Sequence, residues 1–314
     1  MDKKQLIKIA QMYYEQDMTQ SQIAKELGIY RTTISRMLKA AREMGIVTIT
    51  INYDDEETYT LEEKLKKQFG LQDAVVVPSS PNQPEHVRLK AMGQACAKML
   101  DKHVTNEDIV GFSWGSSLAA VVRELQEREL QNVTCVPMVG GPSGKLESKY
   151  HVNTICFQAA QKWHAESLMI DVPAIVEKKE TKNDILASKY FQDIATLWER
   201  ITISIFGIGS AGITGRMTWA AFYGDEMSEE LKQGKVVGDI CSRFFDAGGV
   251  QVQTSISERT ITIPLDTIKK SRLSIGVAES KEKVSGILGA LNGGYMNVLV
   301  TTEETAQMLL ELIN

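Results

Sequence analysis

The sequence predicts an α/β protein with a small helical N-terminal domain and a larger, doubly wound α/β domain. Two observations predict this division. Apolar residues recur at helical spacing through the first fifty residues, and from about residue 72 segments typical of buried strands alternate with helical segments. The chain has 314 residues, enough for two hydrophobic cores. The expected boundaries are residues 1–52 for the helical domain, 53–71 for a linker with a short oligomerisation helix, and 72–314 for the α/β domain.

Composition indicates a soluble globular protein. Hydrophobic residues make up 43% of the chain and charged residues 24%, and no apolar run reaches the roughly 18 residues of a membrane span. The first ten residues are amphipathic and lack the apolar core of a signal peptide. The four cysteines form no CxxC pair, and the four histidines show no metal-ligand spacing. We therefore expect a cytoplasmic protein with reduced thiols, no metal and no cofactor.

The first fifty residues carry three helical patterns separated by short turns. Apolar spacing predicts a first helix over residues 4–15. Thr19 is placed to cap a second helix over residues 20–27, and a glutamine three residues later completes a capping box. Gly28 supplies the left-handed conformation of a tight turn. A third helix is expected over residues 30–44, with an inward face of Ile34, Met37, Leu38 and Ala41.

The outward face of the third helix suits DNA. Although the net charge is −5, residues 31–42 contain four basic side chains and no acidic one. A helix fits the major groove of B-DNA, where arginine pairs with guanine and hydroxyl groups contact phosphates or base edges. The alternative is an ordinary three-helix domain with a solvated basic face. We predict a helix-turn-helix whose DNA contacts are Thr19, Gln20, Tyr30, Arg31, Thr32, Thr33, Ser35, Arg36 and Lys39.

The segment that follows the helices predicts a wing and a joint. The run Ile46–Ile51 has the composition of a strand and would form the wing of a winged helix-turn-helix. Residues 52–60 are polar and acidic, as in a linker. Leu61, Leu65 and Phe69 then form one apolar stripe on a short helix. This stripe is either a seam between two copies of the chain or a face that packs on the next domain, and both interpretations stay open.

The larger domain is expected to bind a ligand where its strands end. Parallel sheets of this class bind ligands at the carboxyl ends of the strands. Serine, glycine and lysine residues stand in the loops at these ends, where backbone N–H groups and hydroxyls form a cradle for a phosphate or a sugar hydroxyl. Each such loop alone is a routine strand-to-helix turn. The predicted ligand-binding residues are Ser113, Gly115, Ser116, Ser117, Gly140, Gly141, Pro142, Ser143, Gly209, Ser210, Asp239 and Lys283.

Dinucleotide binding and catalysis are poorly supported. Residues 207–212 spell GIGSAG, but the stretch after them is not a clean helix and strand, as a dinucleotide site requires. Ser113 is not in a GxSxG motif. An isomerase or deaminase fused to a DNA-binding domain remains an alternative, and Asp239 and Glu279 are its candidate acid and base.

The segments YYEQDMTQSQIAKELGIYRTTISRMLKAAREMGIVTI, DIVGFSWG, VPMVGGPSGKLESKYHVNT, IFGIGS, VVGDICSRFFD and SGILGAL resemble the SorC family of bacterial sugar-operon regulators. The resemblance covers essentially the whole chain. It implies a non-enzymatic regulator of a carbohydrate operon, with an effector domain similar to ribose-5-phosphate isomerase and glucosamine-6-phosphate deaminase. It also implies operator DNA as a partner, a homotetramer built as a dimer of dimers, and L-sorbose or L-sorbose 1-phosphate as effector. The family's effector site matches Gly115 to Ser117, Gly140 to Ser143, Gly209, Ser210, Asp239 and Lys283.

Overall fold

The structure is a computed structural model that describes residues 2–49, 56–80, 82–142, 146–210 and 225–312. The chain divides into two compact units, Met1–Tyr53 and Asp54–Asn314. The N-terminal unit contains helices α1 (Lys3–Tyr14), α2 (Gln20–Leu27) and α3 (Arg31–Glu43). All three predicted helices are confirmed, and their ends lie within one residue of the predicted ones.

The apolar faces of the three helices meet in one buried core. Leu6 and Ile9 of α1, Ile23 of α2 and Ile34 of α3 are fully buried together. The predicted inward face of α3 is confirmed, because its four residues are all buried. Burying each large aliphatic side chain contributes roughly 1.5–3 kcal/mol. This core fixes the orientation of the opposite, polar face of α3.

Helix α2 has the predicted cap at each end. The Thr19 hydroxyl accepts a hydrogen bond from the Gln22 N–H at 3.3 Å, and the Gln22 carboxamide oxygen accepts one from the Thr19 N–H at 2.8 Å. This is the capping box expected from the sequence. Gly28 adopts φ 65°, the left-handed conformation that the turn requires.

The predicted wing strand is wrong over residues 46–49, which are not a strand; residues 50 and 51 lie outside the described part of the chain. The backbone here is used to close α3. Gly45 is left-handed with φ 68°, its N–H donates to the Arg42 carbonyl, and the Ile46 N–H donates to the Ala41 carbonyl. These are the two bonds of a Schellman motif, which ends a helix and bends the chain away from it. Strand propensity alone did not decide the conformation.

In its described residues, the larger unit contains two sheets covered by helices. Its strands are β1 (Asp73–Val77), β2 (Ile109–Phe112), β3 (Thr134–Pro137), β4 (Glu166–Ser167), β5 (Ile203–Phe206), β6 (Gly209–Ser210), β7 (Gly238–Ile240), β8 (Arg243–Phe245), β9 (Leu273–Val277) and β10 (Val298–Thr302). Its helices are α4 (Glu56–Phe69), α5 (Glu85–His103), α6 (Ser116–Glu124), α7 (Val152–Trp163), α8 (Lys179–Ala187), α9 (Lys189–Glu199), α10 (Asp225–Gln233), α11 (Leu265–Lys270), α12 (Val284–Asn292) and α13 (Glu303–Glu311).

The main sheet has seven parallel strands in the order β1-β10-β9-β5-β2-β3-β4. The predicted α/β class is confirmed. The chain runs from β2 through β3 to β4 at one edge, and then from β5 through β9 to β10 in the opposite direction. The neighbours β2 and β5 are therefore the point where the winding reverses. Side chains and loops diverge at such a point and leave a crevice beyond the carboxyl ends of the strands.

The helices and the second sheet frame this crevice. Helices α5, α6 and α7 pack side by side, and α13 contacts both α4 and α12. Strands β6, β7 and β8 form a small antiparallel sheet that begins three residues after β5. The sequence did not predict this sheet, because strands of two or three residues are too short to show a period.

Helix α4 packs on β1 and α13 of its own unit. Leu61 is 9% exposed and Leu65 is fully buried. The Glu62 carboxylate accepts a hydrogen bond from the Val76 N–H of β1 at 2.8 Å, so the helix is attached along an edge strand of the sheet. Of the two interpretations of the apolar stripe, packing on the larger domain is the one that these contacts support.

The amino ends of three central strands are joined at Asp108. Its carboxylate accepts hydrogen bonds from the Thr105 N–H at 2.8 Å, the Thr202 hydroxyl at 2.7 Å and the Arg272 guanidinium at 2.9 Å. Asp108 precedes β2, Thr202 precedes β5 and Arg272 precedes β9. This buried carboxylate therefore ties the strands together at the end of the sheet opposite the crevice.

Candidate functional site

The polar face of α3 is the candidate DNA surface of the N-terminal unit. Arg31, Thr32, Ser35, Arg36 and Lys39 are exposed and Thr33 is half-buried. In a helix, residues 32, 35, 36 and 39 share one face. The exposed side chains of this face carry positive charge and hydroxyl groups, which suits contact with a polyanion.

The N-terminal edge of this face is formed by three more predicted residues. Tyr30 precedes α3 at the N-cap position, makes no side-chain capping bond and is 84% exposed. The Thr19 side chain forms the capping-box hydrogen bond, and Gln20 is half-buried in the first turn of α2. Because Tyr30 is exposed at the edge of the basic face, it stays a predicted contact with a partner.

A cavity of about 350 Å³ lies at the carboxyl ends of β2 and β5, and we call it the strand-end cavity. Loops after β2, β5, β7 and β9 and the first turns of α5 form its wall. Seven residues predicted from the sequence line it together: Ser113, Gly115, Ser116, Ser117, Gly209, Asp239 and Lys283. The cavity is also lined by Glu85, Arg88, Cys241, Ser242, Glu279, Ser280 and Glu282.

The loop after β2 presents backbone N–H groups to the cavity. Ser113 is buried, and its hydroxyl accepts a hydrogen bond from the Gly207 N–H at 3.3 Å, which joins this loop to the one after β5. Gly115 adopts φ 129° and ψ 172°, a conformation that is essentially confined to glycine. It precedes α6, whose first turn has no side-chain cap. The N-terminal N–H groups of α6 and the hydroxyls of Ser116 and Ser117 therefore lie at the cavity wall, where the sequence predicted a cradle for a phosphate or a sugar hydroxyl.

The turn after β9 places charged groups on the opposite wall. Ser280 has φ 106° and ψ 153°, again a glycine-like conformation, and its N–H donates to the Thr305 hydroxyl at 3.0 Å. The chain then forms a single turn over Lys281–Lys283 and enters α12. Lys283 thus stands at a helix N-terminus beside the cavity, while Glu279 lies just before the strained residue.

The backbone strain at Ser280 should appear as a difference in stability between two variants. Both Ser280→Ala and Ser280→Gly remove the hydroxyl, but only glycine adopts this backbone conformation without strain. We expect Ser280→Gly to be the more stable of the two by about 1 kcal/mol, after the higher chain entropy of glycine is subtracted. Urea denaturation of the two variants measures the difference. Equal stabilities would show that the backbone relaxes at this position.

Asp239 approaches the cavity from the small antiparallel sheet. It is 7% exposed, and its carboxylate accepts a hydrogen bond from the Ser242 N–H at 3.1 Å. Cys241 and Ser242 join β7 to β8 with φ 51° and 62°, the type I′ turn in which Asn and Gly are usual. Two consecutive residues other than glycine in left-handed conformations indicate backbone strain at the cavity wall, a feature typical of binding sites.

Arg88 and Glu279 form a salt bridge at the cavity wall that the sequence analysis did not predict. The Arg88 Nε and Nη2 atoms lie 2.9 and 3.3 Å from the two carboxylate oxygens of Glu279. Glu279 is 7% exposed, and the Arg88 side chain 18%. The only signal in the sequence was that Glu279 follows a buried strand. Arg88, near the start of a helix, showed none.

The surroundings of the charged side chains in the cavity shift their pKa values. Burial lowers the pKa of Lys283, against the attraction of Glu279 and Asp239. The hydrogen bond to Glu279 raises the pKa of the Arg88 guanidinium. Hydrogen bonds from its own N–H and from the Ser280 hydroxyl lower the pKa of Glu282. Arg88 and Glu282 are therefore charged at neutral pH, and Lys283 is the cation that burial destabilises.

Other predicted ligand-binding residues lie outside the cavity lining. Gly140, Gly141 and Pro142 are buried in the loop that follows β3, where a Cβ on Gly140 would lie 2.5 Å from the Pro173 carbonyl oxygen. The double glycine thus has a packing reason. Ser210 is buried, and its hydroxyl donates to the Glu282 carbonyl at 2.6 Å. Ser143 lies outside the described residues.

The described part of the chain contains neither a membrane-spanning helix nor a cluster of metal ligands. No helix there is long and apolar enough to cross a membrane. No three His, Cys, Asp or Glu side chains converge there as metal ligands would.

Comparison with known proteins gives relatives for both units. A model of homeodomain-like domains matches residues 1–47, and a model of a sugar-binding domain matches residues 53–311. The sorbitol operon regulator of Klebsiella pneumoniae is 50% identical over 311 residues, which cover 99% of this chain and 98% of that protein. The deoxyribonucleoside regulator of Bacillus subtilis (strain 168) is 32% identical over 310 residues, 98% of each chain.

Solved structures agree with these matches. The crystal structure of the full-length sorbitol operon regulator SorC from Klebsiella pneumoniae has a TM-score of 0.82 and 51% identity, with 99% of each chain covered. A probable sor operon regulator from Shigella flexneri has a TM-score of 0.77 and 45% identity, and covers 81% of this chain and 100% of its own.

A helix-turn-helix unit joined to a sugar-binding α/β unit defines a sugar-binding transcriptional regulator. The matched domains cover nearly all of this chain, and its relatives share both units. The chain belongs to the SorC family of these regulators. The family resemblance seen in the sequence is confirmed.

Proposed function

We propose that this regulator controls an operon for the use of a six-carbon sugar or sugar alcohol, and that the compound binds in the strand-end cavity. One observation carries the proposal: the same chain holds an exposed basic helix face and a cavity lined by hydroxyl, carboxylate and ammonium groups at strand ends. A volume of about 350 Å³ is at the small end for ligand sites, which suits a monosaccharide.

The identity of the effector rests on two lines of support. The sequence resemblance implied L-sorbose or L-sorbose 1-phosphate, whereas the Klebsiella relative is named for a sorbitol operon. Sorbitol and L-sorbose are both six-carbon chains rich in hydroxyl groups, and they differ at a carbonyl group. We therefore propose that the effector is a six-carbon polyol or ketose, free or phosphorylated.

The residues proposed to hold the effector act in two ways. Ser116, Ser117, Asp239 and Lys283 offer side-chain hydrogen bonds, and Gly115 and Gly209 let the backbone approach the ligand. Ser113 and Ser210 support the site through the bonds they make to Gly207 and Glu282. The loop after β3 completes the proposed set with Gly140, Gly141, Pro142 and Ser143.

The residues proposed to hold operator DNA centre on α3. Arg31, Arg36 and Lys39 supply charge, and Thr32, Thr33 and Ser35 supply hydroxyl groups for bases or phosphates. Thr19, Gln20 and Tyr30 flank them at the N-terminal edge. Helix-turn-helix proteins bind two half-sites as a dimer, so we propose that the chain acts as a dimer or tetramer in the cytoplasm.

Control of DNA binding follows from linkage. A sugar shifts the equilibrium between two arrangements of the assembly only through its difference in affinity for them. Couplings of this kind are worth about 1–3 kcal/mol, or about 5–150-fold in affinity. We expect the effector to change operator affinity by a factor in this range.

Fluorescence anisotropy of a labelled fragment from upstream of the chain's own operon tests the proposal. The protein is titrated with sorbitol, L-sorbose and their 6- and 1-phosphates at fixed salt, and a scrambled fragment serves as DNA control. We expect sequence-specific binding that one compound shifts. Lys283→Met should abolish that shift, while Lys281→Met, an exposed lysine two residues away, should retain it. Specific binding that no compound changes would contradict the proposed effector.

One observation favours an alternative. Asp239 and Glu279 are buried carboxylates that line the same cavity, and an acid–base pair is what isomerisation or deamination of a sugar phosphate requires. Incubation with ketose and aldose phosphates, followed by chromatography of the products, decides between the two. Turnover that Glu279→Gln abolishes would support the enzyme.

A further inference from the structure

The Arg88–Glu279 pair joins two distant parts of the larger unit at the cavity wall. Arg88 is the fourth residue of α5, and Glu279 follows β9, 191 positions later in the chain. Both nitrogens of the guanidinium edge contact the two carboxylate oxygens, and Arg88 also donates to the Gln83 carbonyl. The carboxylate is therefore fixed in position and orientation, because a two-point contact restricts rotation as a single bond does not.

Local helix energetics do not explain an arginine at this position. A cation in the first turns of a helix opposes the partial positive charge of the helix N-terminus, which favours acidic residues such as Glu85. A nearly buried pair also loses the hydration of both charges, a cost that often exceeds its attraction. A gain in stability therefore does not account for this pair. Its position on the wall of a ligand cavity indicates a role in ligand binding.

The charge of the wall restricts which ligand groups can lie beside this pair. Among the residues that the structure describes, the lining contains four carboxylates, at Glu85, Asp239, Glu279 and Glu282, and two cations, at Arg88 and Lys283. One of these cations is already neutralised by Glu279. A phosphate beside Glu279 would meet a buried negative charge at close range, where water screens it weakly.

We infer that Arg88 is a positioning residue that holds Glu279 as a hydroxyl acceptor, so that this side of the strand-end cavity recognises uncharged hydroxyl groups of the effector and not a phosphate. This inference rests on the proposed function. Each carboxylate oxygen that accepts one bond from Arg88 keeps a further lone pair for a sugar hydroxyl. A charged acceptor held rigidly discriminates strongly between ligands that offer a hydroxyl there and ligands that do not. Any phosphate on the effector lies away from Glu279, beside the N–H groups of α6.

The experiment compares four proteins with four ligands. The wild-type full chain, Arg88→Ala, Glu279→Gln and the double variant are each titrated by calorimetry with sorbitol, L-sorbose, sorbitol 6-phosphate and L-sorbose 1-phosphate. Arg88→Lys is added because it keeps the charge and loses the two-point contact. Arg123→Ala, an exposed arginine on α6 that does not line the cavity, is the matched control. Melting curves establish that each variant is folded before its affinities are compared.

The inference predicts a specific pattern. Arg88→Ala and Glu279→Gln each weaken every ligand that binds the wild type by about 10- to 100-fold, the range for a hydrogen bond to a charged group. The affinity ratio of a phosphorylated ligand to its parent compound stays within about threefold of the wild-type ratio. The double variant is no weaker than Arg88→Ala alone, because both changes remove one recognition element. Arg88→Lys recovers part of the loss, and Arg123→Ala binds as the wild type.

Other patterns would overturn the inference. If Arg88→Ala weakens only the phosphorylated ligands, Arg88 leaves Glu279 to bind a phosphate, the reverse of the inferred role. If the folded variants bind all ligands as the wild type does, the pair serves structure alone. If the wild type binds none of the four compounds, the proposed effector class itself fails, a result distinct from either of these.

Discussion

Replacement of Arg36 by alanine should reduce the affinity for operator DNA more than any other single change on the surface of the N-terminal unit. Arg36 lies in the middle of the exposed face of α3, between Thr32 and Lys39, and its Nε donates to the Thr32 carbonyl at 3.4 Å. An arginine pair with guanine is worth about 1–3 kcal/mol, which corresponds to about 5- to 150-fold in affinity at each half-site. Two half-sites in a dimer would multiply the loss.

The form of the loss identifies what Arg36 contacts. If Arg36 reads a base, Arg36→Ala reduces the preference for operator over scrambled DNA, whereas loss of a phosphate contact weakens both equally and lowers the salt dependence. Anisotropy at two salt concentrations measures both quantities. Arg123→Ala removes the same side chain from the larger unit and should leave DNA affinity unchanged. An Arg36→Ala protein with wild-type operator affinity would show that α3 is not the recognition helix.

Replacement of Asp108 by alanine should destabilise the larger unit by about 3 kcal/mol. The Asp108 side chain is 6% exposed and accepts hydrogen bonds from groups that precede three central strands. Without the carboxylate, the Thr105 N–H and the Thr202 hydroxyl lose their buried acceptor. This loss accounts for most of the decrease in the free energy of unfolding. Arg272 is 46% exposed and regains water, so its share of the loss is small.

Denaturation followed by tryptophan fluorescence isolates this effect. All four tryptophans lie in the larger unit, so the signal reports on that unit alone. Glu258→Ala breaks the exposed Lys179–Glu258 pair, whose side chains are 53% and 60% exposed. This control should cost no more than about 1 kcal/mol. Equal losses in the two variants would contradict the importance assigned to the buried carboxylate.

The same carboxylate predicts a pH dependence. Although burial alone would raise the pKa of Asp108, the hydrogen bonds from Thr105, Thr202 and Arg272 lower it overall. A lowered pKa stabilises the folded state at pH values above the ordinary aspartate pKa of about 3.9, and this stabilisation disappears as the pH falls through the lowered value. The stability difference between wild type and Asp108→Asn should therefore be full at neutral pH and shrink in acid. A constant difference would show that the charge of Asp108 contributes nothing.

Local sequence patterns predicted the parts of the fold that local forces determine. The inward face of α3 repeats at helical spacing, and Thr19 and Gly28 act within a few residues of their own positions. The strands of the main sheet are short apolar runs bounded by helices, so their order along the chain and their parallel arrangement followed. The same reasoning placed Ser116 and Lys283 in loops at strand ends and Asp239 after such a loop, and the structure brings the three into one cavity.

The remaining features depend on contacts between distant residues, which a single sequence does not show. Arg88 meets Glu279 only because β1 and β9 are both neighbours of β10 in the sheet. The run after Gly45 reads as a strand, but the hydrogen bonds that end α3 take its backbone groups. The glycines 140 and 141 looked like a ligand loop, whereas close packing against residues 173–174 and His151 also requires them.

The central claim is that sugar and operator DNA bind to two coupled sites, and reciprocity tests it most directly. Calorimetric titration with the effector that shifts operator binding is carried out on the protein alone and on the protein saturated with operator. The account predicts that operator changes sugar affinity by the same factor, about 5- to 150-fold, by which the sugar changes operator affinity. Equal sugar affinities with and without operator would contradict it, because two sites that do not influence each other cannot form a sugar-controlled regulator.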